Sequence, residues 1–260
     1  MPETALRSSS TATSGGCHQS PSASRPRPRG ATASPRPHRF PSRIGVGLAG
    51  GFYPAPHRYD LYLSACCPRS LRISITLDLL GLKDTVGTTL LTYPTETPDA
   101  FASLRGAYEA TVHHYDGPLT APALRDRWSG RIVSNDTNGI LRDLASLFSG
   151  HDAARPSPLG PPALAPDIDA LRDLLDRDIT PAAQPSGRSA ALSLLDRQLT
   201  SRPYVLGGDL TAADVDLWVA LVHLGPAGTL SSYPRLRDYV RRLGDHPAFR
   251  GRIEAVPDAA

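Results

Sequence analysis

A proline-rich segment at residues 151–166 divides the sequence into two parts of different character. It holds five prolines and one glycine, a composition that interrupts regular structure and is typical of a linker between domains. Before this segment, apolar residues follow both the two-residue period of strands and the longer period of helices; after it, they follow only the helical period. The sequence therefore predicts a mixed α/β unit followed by an all-helical unit.

The first part alternates strands and helices. Residues 58–64 alternate apolar and polar side chains, as a half-buried strand does, and residues 68–80 place apolar side chains at helical spacing and stop before Gly81. The further elements predicted are a strand over 86–93, a helix over 98–112, strands over 121–124 and 130–134 joined by a turn, and a helix ending at Gly150. This order, β-α-β-α-β-β-α, predicts a thioredoxin-like domain over residues 44–150.

The second part, predicted as a helical domain over residues 167–255, shows four helical patterns. They cover residues 168–178, 190–199, 211–224 and 233–243. The third has the clearest start, because Thr211 and Asp214 are spaced as a capping box that satisfies the free N–H groups of a first helical turn.

Residues 1–43 are dominated by Ser, Pro, Ala, Thr and Arg without apolar periodicity, which predicts a disordered tail. Its seven Arg and one Glu give +6, whereas the whole chain carries +3, so residues 44–260 carry −3. The basic charge therefore belongs to the tail, and a folded nucleic-acid-binding surface, which needs a basic stripe on the domain itself, is not expected.

The sequence contains no apolar run of about 18 residues that could span a membrane. It also lacks the apolar core of a signal peptide near Met1, and prolines in the tail would break the amphipathic helix of an organelle transit peptide. We therefore expect a cytoplasmic protein without a membrane partner.

The three cysteines do not form a disulfide framework. Cys17 lies in the predicted tail, and Cys66 and Cys67 are adjacent, a spacing that strains an internal disulfide. No set of cysteine and histidine residues has the spacing of a zinc site, so no metal is expected.

Cys67 stands between a predicted strand and a helix that Pro68 begins. Proline favours the first helical position, so Cys67 is predicted at the N-cap, with its sulfur near the free N–H groups of the first turn. Arg69 and Arg72 follow closely, and these effects together favour the thiolate. A buried structural cysteine is the alternative.

Several segments resemble the xi class of glutathione transferases, the glutathionyl-hydroquinone reductases. Residues 61–72 resemble the family's C-P-W-A-H-R stretch, and residues 51–59 its lead-in. Residues 115–124 are similar to Y-x-G-x-x-T-V-P-V-L, residues 130–137 to I-V-N-N-E-S, and residues 204–218 to Y-L-L-G-D-x-L-T-E-A-D-V-R-L-W. The resemblance spans about residues 40–250 and implies an N-terminal thioredoxin-like domain followed by the helical domain of a glutathione transferase.

The resemblance also implies a set of site residues. Cys67 matches the nucleophile, and Pro122 the cis-proline whose preceding residue, Ala121, would pair with the cysteinyl backbone of glutathione. Asp136 and Thr137 match the pair that receives the γ-glutamyl end at a helix N-terminus. For these two residues, simple helix capping is the alternative.

The chain departs from the family at several positions. Arg69 and Leu71 replace the Trp and His of C-P-W-A-H-R, the family's G-W-x-F segment is absent around residues 92–102, and a helical insert with a tyrosine on the quinone side is shortened to residues 179–187. The cysteine survives, whereas the hydroquinone pocket differs.

Two functions follow from this comparison. The first is a thiol-dependent reductase that acts on S-conjugates by thiol exchange at Cys67, with glutathione or another low-molecular-weight thiol, such as mycothiol, as cosubstrate and a homodimer as the expected assembly. The second is a catalytically silent binding or stress-related protein that keeps the transferase scaffold.

Overall fold

The computed structural model describes residues 38–45, 51–93, 96–147, 157, 159–224 and 230–252. In the first part, β1 (Tyr59–Ser64), α1 (Pro68–Leu79), β2 (Gly87–Leu91), α2 (Pro98–Thr111), β3 (Ala123–Asp126), β4 (Ile132–Ser134) and α3 (Thr137–Leu147) follow one another. After a 3₁₀ turn at Pro162–Leu164, the second part contains α4 (Ala165–Asp178), α5 (Pro185–Gln198), α6 (Ala212–Val222) and α7 (Pro234–Gly244). The order of elements predicted from the sequence is confirmed.

The four strands form one sheet in the order β2-β1-β3-β4. β1 pairs in parallel with β2, and β3 pairs antiparallel with both β1 and β4. β3 begins two residues later than predicted, at Ala123, because Pro122 has no N–H to donate to the ladder.

Alternation along β1 explains why the sheet is covered on both faces. Tyr59, Leu61 and Leu63 pack in one cluster with apolar residues of α1 and α3. Tyr62 lies on the other face, in a cluster with residues of α2. The first domain therefore has three layers, with its sheet between α2 and the pair α1 and α3.

The helical domain surrounds α6, whose Trp218 is fully buried. The indole N–H of Trp218 donates to the carbonyl of Val240 on α7 (3.0 Å), and Thr211 and Asp214 form the predicted capping box at the start of α6. Ile75 and Leu71 of α1 pack against this core as well, so α1 joins the two domains.

The packed part of the chain starts before the 43/44 boundary that the sequence suggested. Phe40 packs against the cluster on the α2 face of the sheet, and Ile44 is buried on the opposite face. Arg43 pairs with Asp143 of α3 (Nε to Oδ1, 2.6 Å). Residues 38–43 thus contact the domain; residues 1–37, and residues 151–156 and 158 of the predicted linker, lie outside the described residues.

Candidate active site

The strand register brings the predicted site residues to one edge of the sheet. The parallel strands β1 and β2 end together, with Ser64 opposite Leu91. β3 starts at this edge with Ala123 opposite Tyr62, and β4 ends here with Ser134 opposite Leu124. Residues that follow β1, precede β3 or follow β4 therefore converge.

Cys67 follows β1 and occupies the N-cap of α1. Its backbone is extended (φ −101°, ψ 119°), and Pro68 is the first helical residue, as the sequence predicted. The position is fixed by the backbone N–H of Leu71, which donates to the carbonyl of Cys67 (3.0 Å), and by the buried Ser70, whose hydroxyl accepts from the N–H of Ser64 (2.9 Å). Cys67 is half-buried and carries a free thiol, whereas Cys66 is exposed.

Cys67 lies at the N-cap, beside the free N–H groups of the first helical turn, and its side chain makes no cap hydrogen bond. Cys67 is half-buried, not fully buried as a structural cysteine would be. Such an environment is typical of a reactive cysteine.

The two arginines near Cys67 have different surroundings. Arg69 is exposed in the first turn of α1. Arg72 is only 11% exposed, and its Nε lies 3.5 Å from Oδ1 of Asp216 on α6; a second contact, of 3.9 Å, reaches Asp176 on α4. The charge of Arg72 is thus balanced by carboxylates of the helical domain; its supporting role beside the thiol stays a prediction.

Asp216 is a functional candidate that the sequence reasoning missed. It is 1% exposed, and its Oδ2 accepts from Nε of Arg172 on α4 (2.7 Å). One carboxylate therefore joins arginines of α1 and α4. A charged residue within the apolar run of α6 was the available signal, because a buried carboxylate requires a partner.

The loop before β3 contains the predicted cis bond, between Ala121 and Pro122. Ala121 precedes Ala123, the first residue of β3 that pairs with β1. The loop is held by Tyr108, whose hydroxyl donates to the carbonyl of Thr120 (3.0 Å), and by the amide of Asn135, which donates to the hydroxyl of Thr120 (3.2 Å). This loop and the start of α3 are thus tied together.

Asp136 and Thr137 lie at the start of α3. Oδ2 of Asp136 accepts from the N–H of Gly139 (2.8 Å), so this carboxylate caps the helix, which was the simpler alternative for the pair. Oδ1 of Asp136 lies 3.8 Å from the guanidinium of Arg39, and Thr137 is buried as the first helical residue. One carboxylate oxygen is committed to the cap, while the other faces a cation from the N-terminal segment.

That N-terminal segment, residues 38–45, was assigned mostly to the tail by the sequence reasoning. Phe40 exchanges hydrogen bonds with Asn135, since its N–H donates to Oδ1 (2.9 Å) and its carbonyl accepts from the backbone N–H of Asn135 (3.2 Å). Pro41 forms a bridge with Ser134 at the end of β4. The segment therefore borders the site, and the apolar residues Phe40 and Ile44 were the signal for it.

His223 is a titratable group at the C-terminal end of α6. Its Nδ1 contacts the carbonyl of Val219 (2.9 Å). Burial lowers the pKa of His223, and the positive charge of Arg72 lowers it further. Both effects favour the neutral imidazole over the charged one.

No cluster of three or more His, Cys, Asp or Glu side chains able to hold a metal ion occurs within the described residues. None of the helices in the same ranges is long and apolar enough to cross a membrane.

Comparison with known proteins agrees with the architecture. Residues 163–242 match the family model of the glutathione S-transferase C-terminal domain. The chain is 28% identical over 228 residues to glutathionyl-hydroquinone reductase YqjG of Escherichia coli (strain K12). This match covers 75% of this chain and 69% of YqjG. It is also 28% identical over 249 residues to glutathionyl-hydroquinone reductase PcpF of Sphingobium chlorophenolicum. This match covers 80% of this chain and 78% of PcpF.

Among solved structures, the xi glutathione S-transferase from Phanerochaete chrysosporium superposes with a TM-score of 0.67 at 26% identity, covering 85% of this chain and 90% of that protein. The glutathione-bound structure of YqjG gives a TM-score of 0.66 at 25% identity and covers 84% of both chains. The chain thus has the fold of the glutathione S-transferases, a thioredoxin-like domain with a cysteine at the N-cap of α1 followed by a helical domain, and it is similar to the xi class.

Proposed function

We propose that the protein is a cysteine-type glutathione transferase that works as a thiol-dependent reductase of S-conjugates, like the glutathionyl-hydroquinone reductases it resembles. The observation that carries this proposal is the half-buried free thiol of Cys67 at the N-terminus of α1. A helix N-terminus attracts negative charge, and a half-buried residue there remains open to a substrate sulfur.

The reaction consists of two thiol exchanges. The thiolate of Cys67 attacks the sulfur of the S-conjugate, an S–S bond forms, the carbon–sulfur bond breaks, and the carbon of the released hydroquinone takes a proton. A second low-molecular-weight thiolate then attacks the mixed disulfide, which frees Cys67 and releases a disulfide. The two thiols are oxidised and the S-conjugate is reduced, so the electrons balance without a metal.

The edge of the sheet supplies binding groups for the thiol. The backbone of Ala121, before the cis bond to Pro122, would pair with an extended cysteinyl backbone. The start of α3, with Thr137 and Asp136, offers N–H groups to a carboxylate and a carboxylate to an ammonium group. Arg69 contributes an exposed positive charge one turn from the thiol.

The cosubstrate is glutathione or another thiol of similar size such as mycothiol. The cytoplasm as the compartment and the homodimer as the assembly belong to the same proposal and rest on the sequence.

A catalytically silent scaffold is the second candidate. It is favoured by Leu71, which replaces a histidine of the family motif and packs against the core of the helical domain rather than serving the substrate. The placement of Cys67 at the N-cap of α1, followed by Pro68, favours catalysis.

The two candidates are separated by the reactivity of the cysteines. The folded protein is alkylated with limiting iodoacetamide at pH 6, where an unperturbed thiol is almost fully protonated, and peptides are analysed by mass spectrometry. We expect Cys67 to be labelled well before Cys66 and before Cys17, the internal reference. If Cys67 reacts no faster than Cys17, it is not the nucleophile and the silent scaffold is the better account.

Matched variants extend this test to the reductase reaction. Cys67→Ser should abolish reduction of a glutathionylated hydroquinone, whereas Cys66→Ser should retain most of it. Arg69→Leu should slow alkylation of Cys67, while Arg72→Leu should change it less, because the charge of Arg72 is already balanced by Asp216.

A further inference from the structure

A cleft of about 450 Å³ lies in the helical domain, between the residues that follow α5 and one face of α7. Its volume is in the range of small-molecule sites. Every residue that lines it belongs to the part of the chain after residue 198, so the cleft is separate from the edge of the sheet that holds Cys67. Four of its lining residues are arginines: Arg202, Arg235, Arg241 and Arg242.

The arginines exceed the carboxylates that could balance them. Arg235 pairs with Asp196 (3.4 Å), and Arg241 pairs with Asp238 (3.3 Å), where both partners are exposed. Arg202 is exposed, and the ion pairs at the cleft join other arginines, so Arg202 has no carboxylate partner among the described residues. Four guanidinium groups thus face two carboxylates, which gives the cleft a local charge of +2. Residues 44–260 as a whole carry −3, so the cleft is a local basic region.

Arg242 is held in place without a carboxylate. It donates to the carbonyl of Pro203, and its guanidinium lies over the rings of Tyr204 (5.1 Å) and Tyr239 (5.6 Å). Stacking fixes the plane of the guanidinium and leaves its charge unneutralised. A preorganised arginine of this kind recognises a phosphate through paired hydrogen bonds.

Apart from the arginines and Asp238, which pairs with Arg241, the lining is apolar or aromatic. Leu199, Pro203 and the ring of Tyr239 contribute to the wall of the cleft beside the arginines. A ligand that fits would carry an anionic group for the guanidinium groups and an apolar or aromatic body for this wall.

We propose that the arginine cleft binds a small phosphomonoester with an apolar or aromatic body, at a site independent of Cys67. A phosphomonoester carries close to two negative charges at neutral pH, which matches the local excess of +2. The same anion could be presented by free phosphate, so the test compares the two.

Isothermal titration calorimetry of the full chain at pH 7.5 in 0.15 M chloride measures binding of phenyl phosphate and of inorganic phosphate. We expect saturable binding of phenyl phosphate, tighter than that of inorganic phosphate. Arg202→Gln and Arg241→Gln should each weaken it about tenfold, since a hydrogen bond to a charged group is worth roughly that factor. Arg237→Gln is the matched control, because Arg237 is exposed on α7 but does not line the cleft.

The proposal is overturned if phenyl phosphate shows no saturable heat, or if Arg237→Gln weakens binding as much as the cleft variants do, which would indicate nonspecific attraction to α7. Equal affinities for phenyl phosphate and inorganic phosphate would refute the phosphomonoester and assign the cleft to a free anion. Circular dichroism of each variant verifies that a loss of binding does not come from unfolding.

Discussion

Replacing Asp216 should weaken the contact between α1 and the helical domain and lower the free energy of unfolding. Asp216 is 1% exposed and touches Arg172, which is 6% exposed, and Arg72, which is 11% exposed. Without its charge, two nearly buried guanidinium groups keep only the surface carboxylates Asp169 and Asp176 (side chains 56% and 68% exposed) as partners. Nε of Arg72 and Oδ1 of Asp216 make no hydrogen bond within the described structure, so their attraction rests on charge.

The magnitude follows from the cost of an uncompensated buried charge. Removing one partner of a buried ion pair costs about 3–5 kcal/mol. Because asparagine keeps an oxygen that can accept from Arg172, we expect the lower value, about 3 kcal/mol, for Asp216→Asn. For a chain of this length, this loss lowers the melting temperature by roughly 6–12 °C.

Asp176→Asn is the matched control. Asp176 contacts the same Arg72, but at 3.9 Å and on the surface, so its removal should change the free energy of unfolding by less than about 1 kcal/mol. Thermal unfolding followed by circular dichroism compares the two variants. A triple replacement of Arg72, Arg172 and Asp216 by Leu, Met and Leu should recover much of the loss, since apolar packing can substitute for a buried ion cluster.

Two results would refute this reasoning. If Asp216→Asn melts as the wild type does, the carboxylate does not hold α1 to the helical domain. If the double-mutant cycle of Asp216→Asn with Arg172→Met gives no coupling energy, the 2.7 Å contact contributes nothing beyond the separate substitutions.

Three further outcomes are expected. Removal of residues 1–37 should leave the melting temperature unchanged, whereas removal of residues 1–45 should lower it, because the longer deletion takes away buried residues that contact both faces of the sheet. Thr211→Ala should destabilise the helical domain by about 1 kcal/mol through loss of its cap on α6, as measured by thermal or denaturant unfolding. Burial lowers the pKa of His223 in the folded state, so the unfolded state binds more protons below a pH of about 6.5. The free energy of unfolding should therefore fall as the pH decreases through that region. His223→Gln should weaken this pH dependence, whereas His113→Gln, on an exposed residue, should not.

Local signals in the sequence predicted most of the fold. The alternation along β1, the proline after Cys67 and the capping box at Thr211 each act within a few residues, so the sequence contains the whole pattern. The contacts that the sequence did not reveal are long-range: Arg43 pairs with Asp143 across 100 residues, and Arg172 pairs with Asp216 across 44. Such pairs depend on how helices pack, which periodicity does not specify.

Two of the residues that depart from the xi-class motifs lie at the interface between the domains. Leu71, in place of a histidine, packs against the core of the helical domain. Asp216 stands where the motif A-D-V-R-L-W has arginine, and it pairs with Arg72 of the same helix α1. A buried arginine at position 216 would repel Arg72 and Arg172, so the exchange of charge is consistent with the arginines around it. These two departures alter the packing of α1 against α4 and α6, while Cys67 and Pro68 at the start of α1 match the motif. This pattern supports the proposed thiol-dependent reductase, with a changed substrate pocket, over the silent scaffold.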